Sequence, residues 1–392
     1  MLEVTLFKTM DVFDSMHWGT TKKLLSALGA WPFKPVKERK TLGALFYLIV
    51  QSIYIAEILK LFVVWGNLTE TLDCLPVIVH HSMVQVKMAN CLFNIKQVKV
   101  LLLQIKRNWE SDLYDHEIKI LREDARIYKV VMNYYSSGLS SVAIIYAVVP
   151  IVPIFLDVVL PLNETRQRIL PYPVEYFVDI QNNFYILYIH SCIVTPLVLS
   201  YFLAFDMTYA GLVSHVCSMF TILGGRLKNL KSGTNKKDNS LKSLVVCIKM
   251  HQDLLKFSER LEENYTNYFF LLLGNIVLGL TVTGFQLTVL ATDFGAKIKC
   301  IWSGAGQVIH LFILSYLGQR LINCSEYINE SICMSKWYNY SRKMKLLIIL
   351  VLTRGKTTTT LSAGKIYIMS IENCSSVMKT SMSFFTVLRS VQ

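Results

Sequence analysis

The chain of 392 residues is 53% hydrophobic and only 17% charged, with a formal net charge of +13 at pH 7. A typical soluble domain carries roughly 25% charged residues, so this composition excludes an ordinary soluble enzyme. The positive charge does not indicate a nucleic-acid partner, because the Lys and Arg residues lie between long apolar stretches and not on one binding face. The chain is therefore predicted to be an all-α, polytopic membrane protein.

Seven stretches of the sequence are predicted to be membrane-spanning helices. About 20 apolar residues in a helix cross a bilayer core of about 30 Å. Four long stretches contain no Lys or Arg at all, namely 131–160, 184–217, 266–292 and 300–317. The predicted spans are residues 41–65, 72–92, 133–160, 184–207, 266–291, 299–318 and 366–389. The second is interrupted by polar residues, and the seventh is amphipathic.

The distribution of Lys and Arg predicts the orientation of these spans. Segments 1–40, 96–130, 218–265 and 318–366 together hold 32 of the 40 basic residues, and segments 66–71, 161–183 and 293–299 hold 4. Basic loops stay in the cytosol, so the N-terminus is predicted to be cytosolic and, after seven spans, the C-terminus extracellular. This sense is opposite to that of a G-protein-coupled receptor. Residues 1–392 are thus one seven-transmembrane domain.

The cytosolic segments 218–265 and 319–360 are predicted to be helical extensions of the spans. Residues 241–265, for example, place apolar side chains at i, i+3, i+4 and i+7, which is typical of an amphipathic helix. Such segments extend the helical bundle below the membrane and are not disordered loops.

The sequence contains no phosphate-binding GxxxxGK[ST], no HExxH and no GxSxG motif, so it predicts no enzyme, no cofactor and no metal site. His80 and His81 are adjacent and therefore point to different helix faces, which makes them a poor metal site.

The sequence also predicts roles for several ionisable residues and one glycosylation site. Glu57 and Lys60 are three residues apart and are predicted to pair on one helix. Asp206 falls at the cytosolic edge of span 4, where it is predicted to be solvated. Asn163 in the second outer loop is the predicted glycosylation site.

The C-terminal third of the chain resembles the last cytosolic loop and seventh helix of insect odorant receptors. The matching positions are Trp337, Tyr338, Leu346, Leu347, Arg354, Ala363-Gly364-Lys365, Met369-Ser370, Ser381 and Ser383-Phe384-Phe385-Thr386-Val387-Leu388. Residues 170–190 and 217–230 resemble the second outer loop and the segment after span 4. The resemblance covers nearly the whole chain and is especially close to the receptor sets of ants, bees and wasps.

Two features distinguish the chain from related subfamilies. Insect gustatory receptors usually end their seventh span with a Thr-Tyr…Gln-Phe signature, and the segment from Thr380 to Phe385 departs from it. The co-receptor subunit has a long insertion between spans 4 and 5, and 218–265 contains none. The resemblance therefore implies an odorant-tuning subunit.

The resemblance implies a nonselective cation channel at the plasma membrane of olfactory sensory neurons, formed as a heterotetramer with the odorant co-receptor. In such a channel the seventh helices of the subunits surround the pore. The resemblance places the gate of this chain at Val387, Ser390 and Val391. A short helix at about 344–352 belongs to the anchor between subunits. An apolar constriction at Val387 resists conduction by excluding water.

The resemblance also implies an odorant pocket in the outer half of spans 2, 3, 4 and 6. The residues carried over by position are Val77, His80, His81, Val84, Tyr146, Pro150, Ile151, Phe184, Tyr185, Tyr188, Trp302 and Ile309. Such a pocket suits a small hydrophobic odorant or a cuticular hydrocarbon, held mainly by burial of apolar area. The alternatives are a gustatory receptor, a non-conducting receptor that signals through cytosolic partners, and a small-molecule transporter.

Overall fold

The computed structural model describes residues 12–14, 18–162, 164–230, 237–290 and 294–390. Within these ranges the chain is almost entirely α-helical, with a single two-stranded hairpin. The helices are α1 (Gly19–Ala27), α2 (Val36–Val63), α3 (Leu68–Phe93), α4 (Ile95–Glu110), α5 (Asp115–Val148), α6 (Val152–Val159), α7 (Ile180–Lys228), α8 (Lys237–Phe285), α9 (Phe294–Met334), α10 (Arg342–Gly355) and α11 (Ile371–Ser390). The hairpin strands are β1 (Ser362–Ala363) and β2 (Tyr367–Ile368).

The prediction of an all-α polytopic protein is confirmed. Helices overlap all seven predicted spans, and five of them are long and apolar enough to cross a membrane. The other two, α3 and α11, are more polar. The exact membrane boundaries stay predictions, as does the orientation with a cytosolic N-terminus and an extracellular C-terminus.

The helices α7, α8 and α9 extend far beyond the length that a bilayer needs. α7 and α8 each have 49 residues and α9 has 41. At 1.5 Å per residue the first two are about 74 Å long, more than twice the apolar thickness of about 30 Å. The extra turns of these helices include much of the two predicted anchor segments.

The third predicted span is two helices and not one. α5 ends at Val148, a 3-10 turn covers Val149–Ile151, and α6 begins at Val152. Pro150 and Pro153 explain the break, because proline removes a backbone donor and its ring clashes with the preceding helical turn. Membrane helices tolerate such breaks where neighbouring groups satisfy the backbone.

The core of the bundle lies along the second half of α7. Every residue from 203 to 220 is buried. Aromatic side chains fill the space between α7 and α8, with the ring centroids of Phe205 and Tyr268 4.5 Å apart and those of Tyr209 and Tyr265 5.0 Å apart. Gly211 lies so close to the Trp18 indole that an added Cβ would approach it to 2.7 Å. α7 is therefore the central helix around which the others pack.

The hairpin before α11 explains the Ala363-Gly364-Lys365 step in the sequence. Gly364 and Lys365 both adopt positive φ, at 61° and 59°. A Cβ on Gly364 would lie 2.8 Å from the Phe270 ring of α8, so only glycine fits. The Gly364 N–H also donates to the Thr266 carbonyl of α8. The turn thus fixes the start of α11 against α8.

An ion pair joins α5 to α7 in the predicted cytosolic part of the bundle. Arg226 donates to both carboxylate oxygens of Glu117, over 2.5 Å from Nε and over 2.7 Å from Nη2. Burial alone raises the pKa of Glu117, but the hydrogen bonds from Arg226 and from the Tyr114 N–H outweigh it and hold the pKa below its usual value. The stabilisation is therefore complete above the unfolded pKa of about 4.3 and is lost as pH falls through the folded pKa.

We expect Glu117→Gln to weaken this junction, since it removes a buried, charge-assisted pair worth roughly 1.5–3 kcal/mol. The melting temperature of the purified receptor should fall by about 2–5 °C at neutral pH. Glu123→Gln is the matched control, because Glu123 pairs with Arg126 on the exposed side of the same helix. Equal melting temperatures for the two variants would contradict the assignment.

Candidate ligand pocket and pore helix

Tyr172, from the segment between α6 and α7, is the centre of an aromatic cluster inside the bundle. Its ring stacks on Tyr146 of α5 with 4.9 Å between centroids, and it meets the His81 ring of α3 at 5.7 Å. Its hydroxyl shares a 2.7 Å hydrogen bond with Thr195 of α7. The structure therefore brings the predicted residues His81 and Tyr146 together, through a tyrosine that the sequence prediction did not include.

A pair of stacked aromatic side chains on α7 lies near this cluster. Phe184 and Tyr188 of α7 stack with 5.7 Å between centroids, and Phe184 is buried. The Tyr188 hydroxyl donates to the carbonyl of Ala147, next to Tyr146. Tyr185 points outward instead, where the guanidinium of Arg168 lies 5.3 Å from its ring. Two of the three predicted aromatics of α7 thus reach the cluster region.

The predicted residues of α3 divide between two helix faces. Val84 is buried and Val77 is half-buried against the core. His80 turns back on its own helix, where Nδ1 donates to the Pro76 carbonyl over 2.6 Å. His80 and His81 therefore diverge, as their adjacent positions require. Pro150 is buried in the turn between α5 and α6.

Besides Tyr185 and His80, three further predicted pocket residues do not join the cluster. Ile151, Trp302 and Ile309 are 43%, 52% and 55% exposed on the surface of the single chain. Trp302 and Ile309 are seven residues apart and share one face of α9. The opposite face, which carries the buried Gln307 and His310, points into the bundle. The assignment of Trp302 and Ile309 to the pocket therefore stays a prediction that no contact with the cluster supports.

A charged cluster that the sequence prediction missed lies between α3, α5, α7 and α9. The Lys87 ammonium is 2.7 Å from an Asp206 oxygen and 3.1 Å from the centre of the Phe202 ring. Tyr135 donates to the other Asp206 oxygen over 2.7 Å, and His310 Nε2 is 3.2 Å from it. The signals in the sequence were Lys87 within span 2 and Asp206 near the end of span 4.

Two expectations about ionisable groups were wrong. Asp206 is only 5% exposed and paired, and it is not solvated at a membrane edge. Glu57 does not pair with Lys60 of its own helix, and its Oε2 instead shares a 2.6 Å hydrogen bond with His81 Nδ1 of α3. Lys60 lies 3.8 Å from Glu175 of the α6–α7 segment. In both cases the partner comes from another helix or loop, which spacing along one helix does not reveal.

The helix α11 presents the predicted gate residues on an uncovered face. Val387 is 58% exposed and Ser390 is also exposed, whereas Val377 and Ser381 are buried against the rest of the bundle. Val391 lies outside the described residues, as does the predicted glycosylation site Asn163. Among the described residues, no group of three or more His, Cys, Asp or Glu side chains is placed to hold a metal ion.

This architecture is that of a multi-pass helical membrane receptor, and comparison with known proteins defines the family. The family model described as "7tm Odorant receptor" matches residues 67–382, well over half of the chain. The chain therefore belongs to the odorant receptor family of insects, and it is not an enzyme.

Individual relatives share limited sequence identity with the chain. Odorant receptor 13a of Drosophila melanogaster is 24% identical over 288 residues, covering 67% of this chain and 66% of that protein. Odorant receptor 22a of the same species is 24% identical over 232 residues, covering 54% of each protein. The chain thus aligns with about half to two thirds of the length of these relatives.

Solved structures show the same fold. The olfactory receptor OR5 from Machilis hrabei in complex with eugenol matches with a TM-score of 0.78 at 15% identity, covering 95% of this chain and 97% of that chain. A second structure of that receptor matches with a TM-score of 0.79 at 14% identity.

We expect Lys87→Met to be strongly destabilising, because Asp206 stays buried without its cation, a loss of about 3–5 kcal/mol. The cell-surface level of a tagged receptor and its melting temperature should both fall. The double variant Lys87→Met/Asp206→Leu should recover much of the surface level, since replacing a buried pair by apolar side chains is often neutral. Lys96→Met, at an exposed position, is the control. A double variant worse than the single one would refute the interpretation.

Proposed function

We propose that this chain is the odorant-tuning subunit of a ligand-gated, nonselective cation channel that assembles as a heterotetramer with the odorant co-receptor. Its ligand is a small hydrophobic volatile, an odorant or cuticular hydrocarbon, and it acts in the plasma membrane of olfactory sensory neurons. The observation that carries the proposal is the convergence of His81, Tyr146 and Tyr172 from two helices and a loop inside the bundle. Membership of the odorant receptor family supports it.

The aromatic cluster supports small-molecule binding because rings offer large apolar area with few rotatable bonds. The OR5 receptor that shares this fold is solved in complex with eugenol, which further supports a small-molecule ligand for this chain. Phe184 and Tyr188 extend the aromatic surface along α7.

The uncovered face of α11 supports the pore assignment. A helix whose apolar side chains stay exposed in the single chain is suited to contact other subunits or a pore, and Val387 is on that face. In the proposed tetramer Val387 and Ser390 form part of the gate, and only some of the pore-lining helices come from this subunit.

The direct experiment is whole-cell recording with a panel of volatiles, with and without the co-receptor. Odorant-evoked cation current is expected only when both subunits are present. Intact-cell labelling of a C-terminal epitope, but not of an N-terminal one, should accompany it. Labelling of the N-terminus in intact cells would remove the basis for this function.

Tyr146→Ala should reduce odorant sensitivity, because it removes stacking and burial worth roughly 1–3 kcal/mol, about 5- to 150-fold in affinity. Dose–response curves measure the shift, and currents evoked by an agonist of the co-receptor itself should be unchanged. Tyr134→Ala is the control, because Tyr134 is exposed on the same helix. Equal shifts for both variants would argue against the pocket.

Val387→Ala should raise leak current or alter cation permeability ratios, since the barrier of an apolar constriction depends on side-chain size. The effect should be partial, because the co-receptor supplies the other helices. Val377→Ala, at a buried position ten residues earlier, should leave permeation unchanged. Normal permeation in the Val387 variant at normal surface level would place the gate in the co-receptor alone.

A further inference from the structure

A buried pair of Glu57 and His81 lies directly behind the aromatic cluster. His81 Nδ1 and Glu57 Oε2 are 2.6 Å apart, so they share one hydrogen. The Glu57 side chain is fully buried and that of His81 is 5% exposed. The His81 ring also packs against Tyr172, which stacks on Tyr146. The imidazole therefore connects a buried carboxyl group with the proposed pocket.

The charge of this pair decides what the imidazole offers to a ligand. The two electrically neutral arrangements are a carboxylate with an imidazolium, and a carboxylic acid with a neutral imidazole that accepts at Nδ1. Both leave a hydrogen on Nε2. Nε2 lacks a hydrogen only when a carboxylate accepts from the Nδ1–H of a neutral imidazole, and that pair has a net negative charge.

The surroundings of Glu57 disfavour that negative charge. Glu57 Oε1 is buried and has no hydrogen-bond partner among the described residues. Lys60, on the same helix, lies against Glu175 instead. A buried anion without a compensating cation or donor is costly, so the pair is neutral and Nε2 carries hydrogen.

Nε2 of His81 is also available. Within the described part of the chain no side chain or carbonyl accepts from it. His190 differs, because Ser52 and Tyr176 occupy both of its ring nitrogens, at 2.8 and 2.9 Å. Because the His81 side chain is only 5% exposed, a ligand that supplies an acceptor to this donor gains affinity.

We propose that the Nε2–H of His81 is the specificity-determining donor of the pocket and that it selects volatiles with a carbonyl oxygen, such as methyl ketones, aldehydes and esters. The inference rests on the proposed function and narrows its ligand class. The carbonyl oxygen accepts from Nε2–H, and the alkyl chain packs on Tyr146 and Tyr172. A carbonyl suits the site because it adds no donor that these rings would leave unpaired. A saturated hydrocarbon leaves Nε2–H without a partner.

The first test needs no variant. Receptor and co-receptor are expressed together and exposed to a chain-length series of methyl ketones and to the matching alkenes, in which a methylene group replaces the carbonyl oxygen. At equal length the ketone should act at about 10-fold lower concentration than the alkene. Thermal stabilisation of the purified receptor complex by the same compounds gives a second readout that does not depend on current.

The second test uses two substitutions of the same side chain. His81→Phe keeps an aromatic ring but removes the donor, so ketone potency should fall about 10-fold while alkene potency stays the same. His81→Gln keeps an N–H at the position of Nε2 and should retain the preference for ketones. His116→Phe is the matched control, because His116 is exposed at the start of α5.

The outcomes separate this inference from the proposed function. Ketone-selective stabilisation without any ligand-evoked current would support the donor and refute the channel role. Ligand-evoked currents or stabilisation with equal potency for ketones and alkenes would overturn the donor and leave the channel role intact. A loss of preference in His81→Gln, or an equal shift of both ligand classes in His81→Phe, would also overturn it. Absence of both current and stabilisation at normal surface level would contradict both.

Discussion

The ion pair between Lys87 and Asp206 fixes the arrangement of the helices around the proposed pocket. Neither charge is stable alone in an apolar interior, so α3 and α7 stay in contact at this point. Tyr135 and His310 bind the same carboxylate and bring α5 and α9 to it. The rotation of α3 is set as well. With Lys87 pointing inward, Val84 also points inward three residues earlier, and His81 lies one more turn back.

The class of protein and the helical fold follow from the sequence because both depend on local composition. Each span has to be apolar whatever its neighbours are, and the Lys and Arg content of each loop indicates on which side of the membrane that loop lies. Helices accordingly appear at all seven predicted positions. The predicted spans did not include the break at Pro150 or the tight turn at Gly364, although both depend on the backbone properties of single residues.

The sequence did not reveal which of the candidate site residues meet, because this depends on contacts between distant segments. Tyr172 belongs to a loop, and no helical period relates it to Tyr146 or His81. The Glu57–His81 pair shows the same limit, since spacing favoured a partner on Glu57's own helix. On α9 the outward face carries Trp302, which the resemblance places in the pocket, whereas the polar Gln307 is buried. Hydrophobicity identifies an inward face poorly where the surroundings are lipid.

The helix α8 offers a short physical connection between the helices of the proposed pocket and α11, which carries the proposed gate. On one side, Ser82 of α3 donates to Asn275 over 2.6 Å. On the other, Thr281 donates to the Ser381 carbonyl of α11 over 3.3 Å. The two contacts are six residues apart on α8, about 9 Å along its axis. A displacement of α3 that breaks the Ser82–Asn275 hydrogen bond therefore acts on α8 within two helical turns of the Thr281–Ser381 hydrogen bond. In the proposed channel, coupling between ligand and gate would require no long chain of side chains, because α8 contacts both α3 and α11.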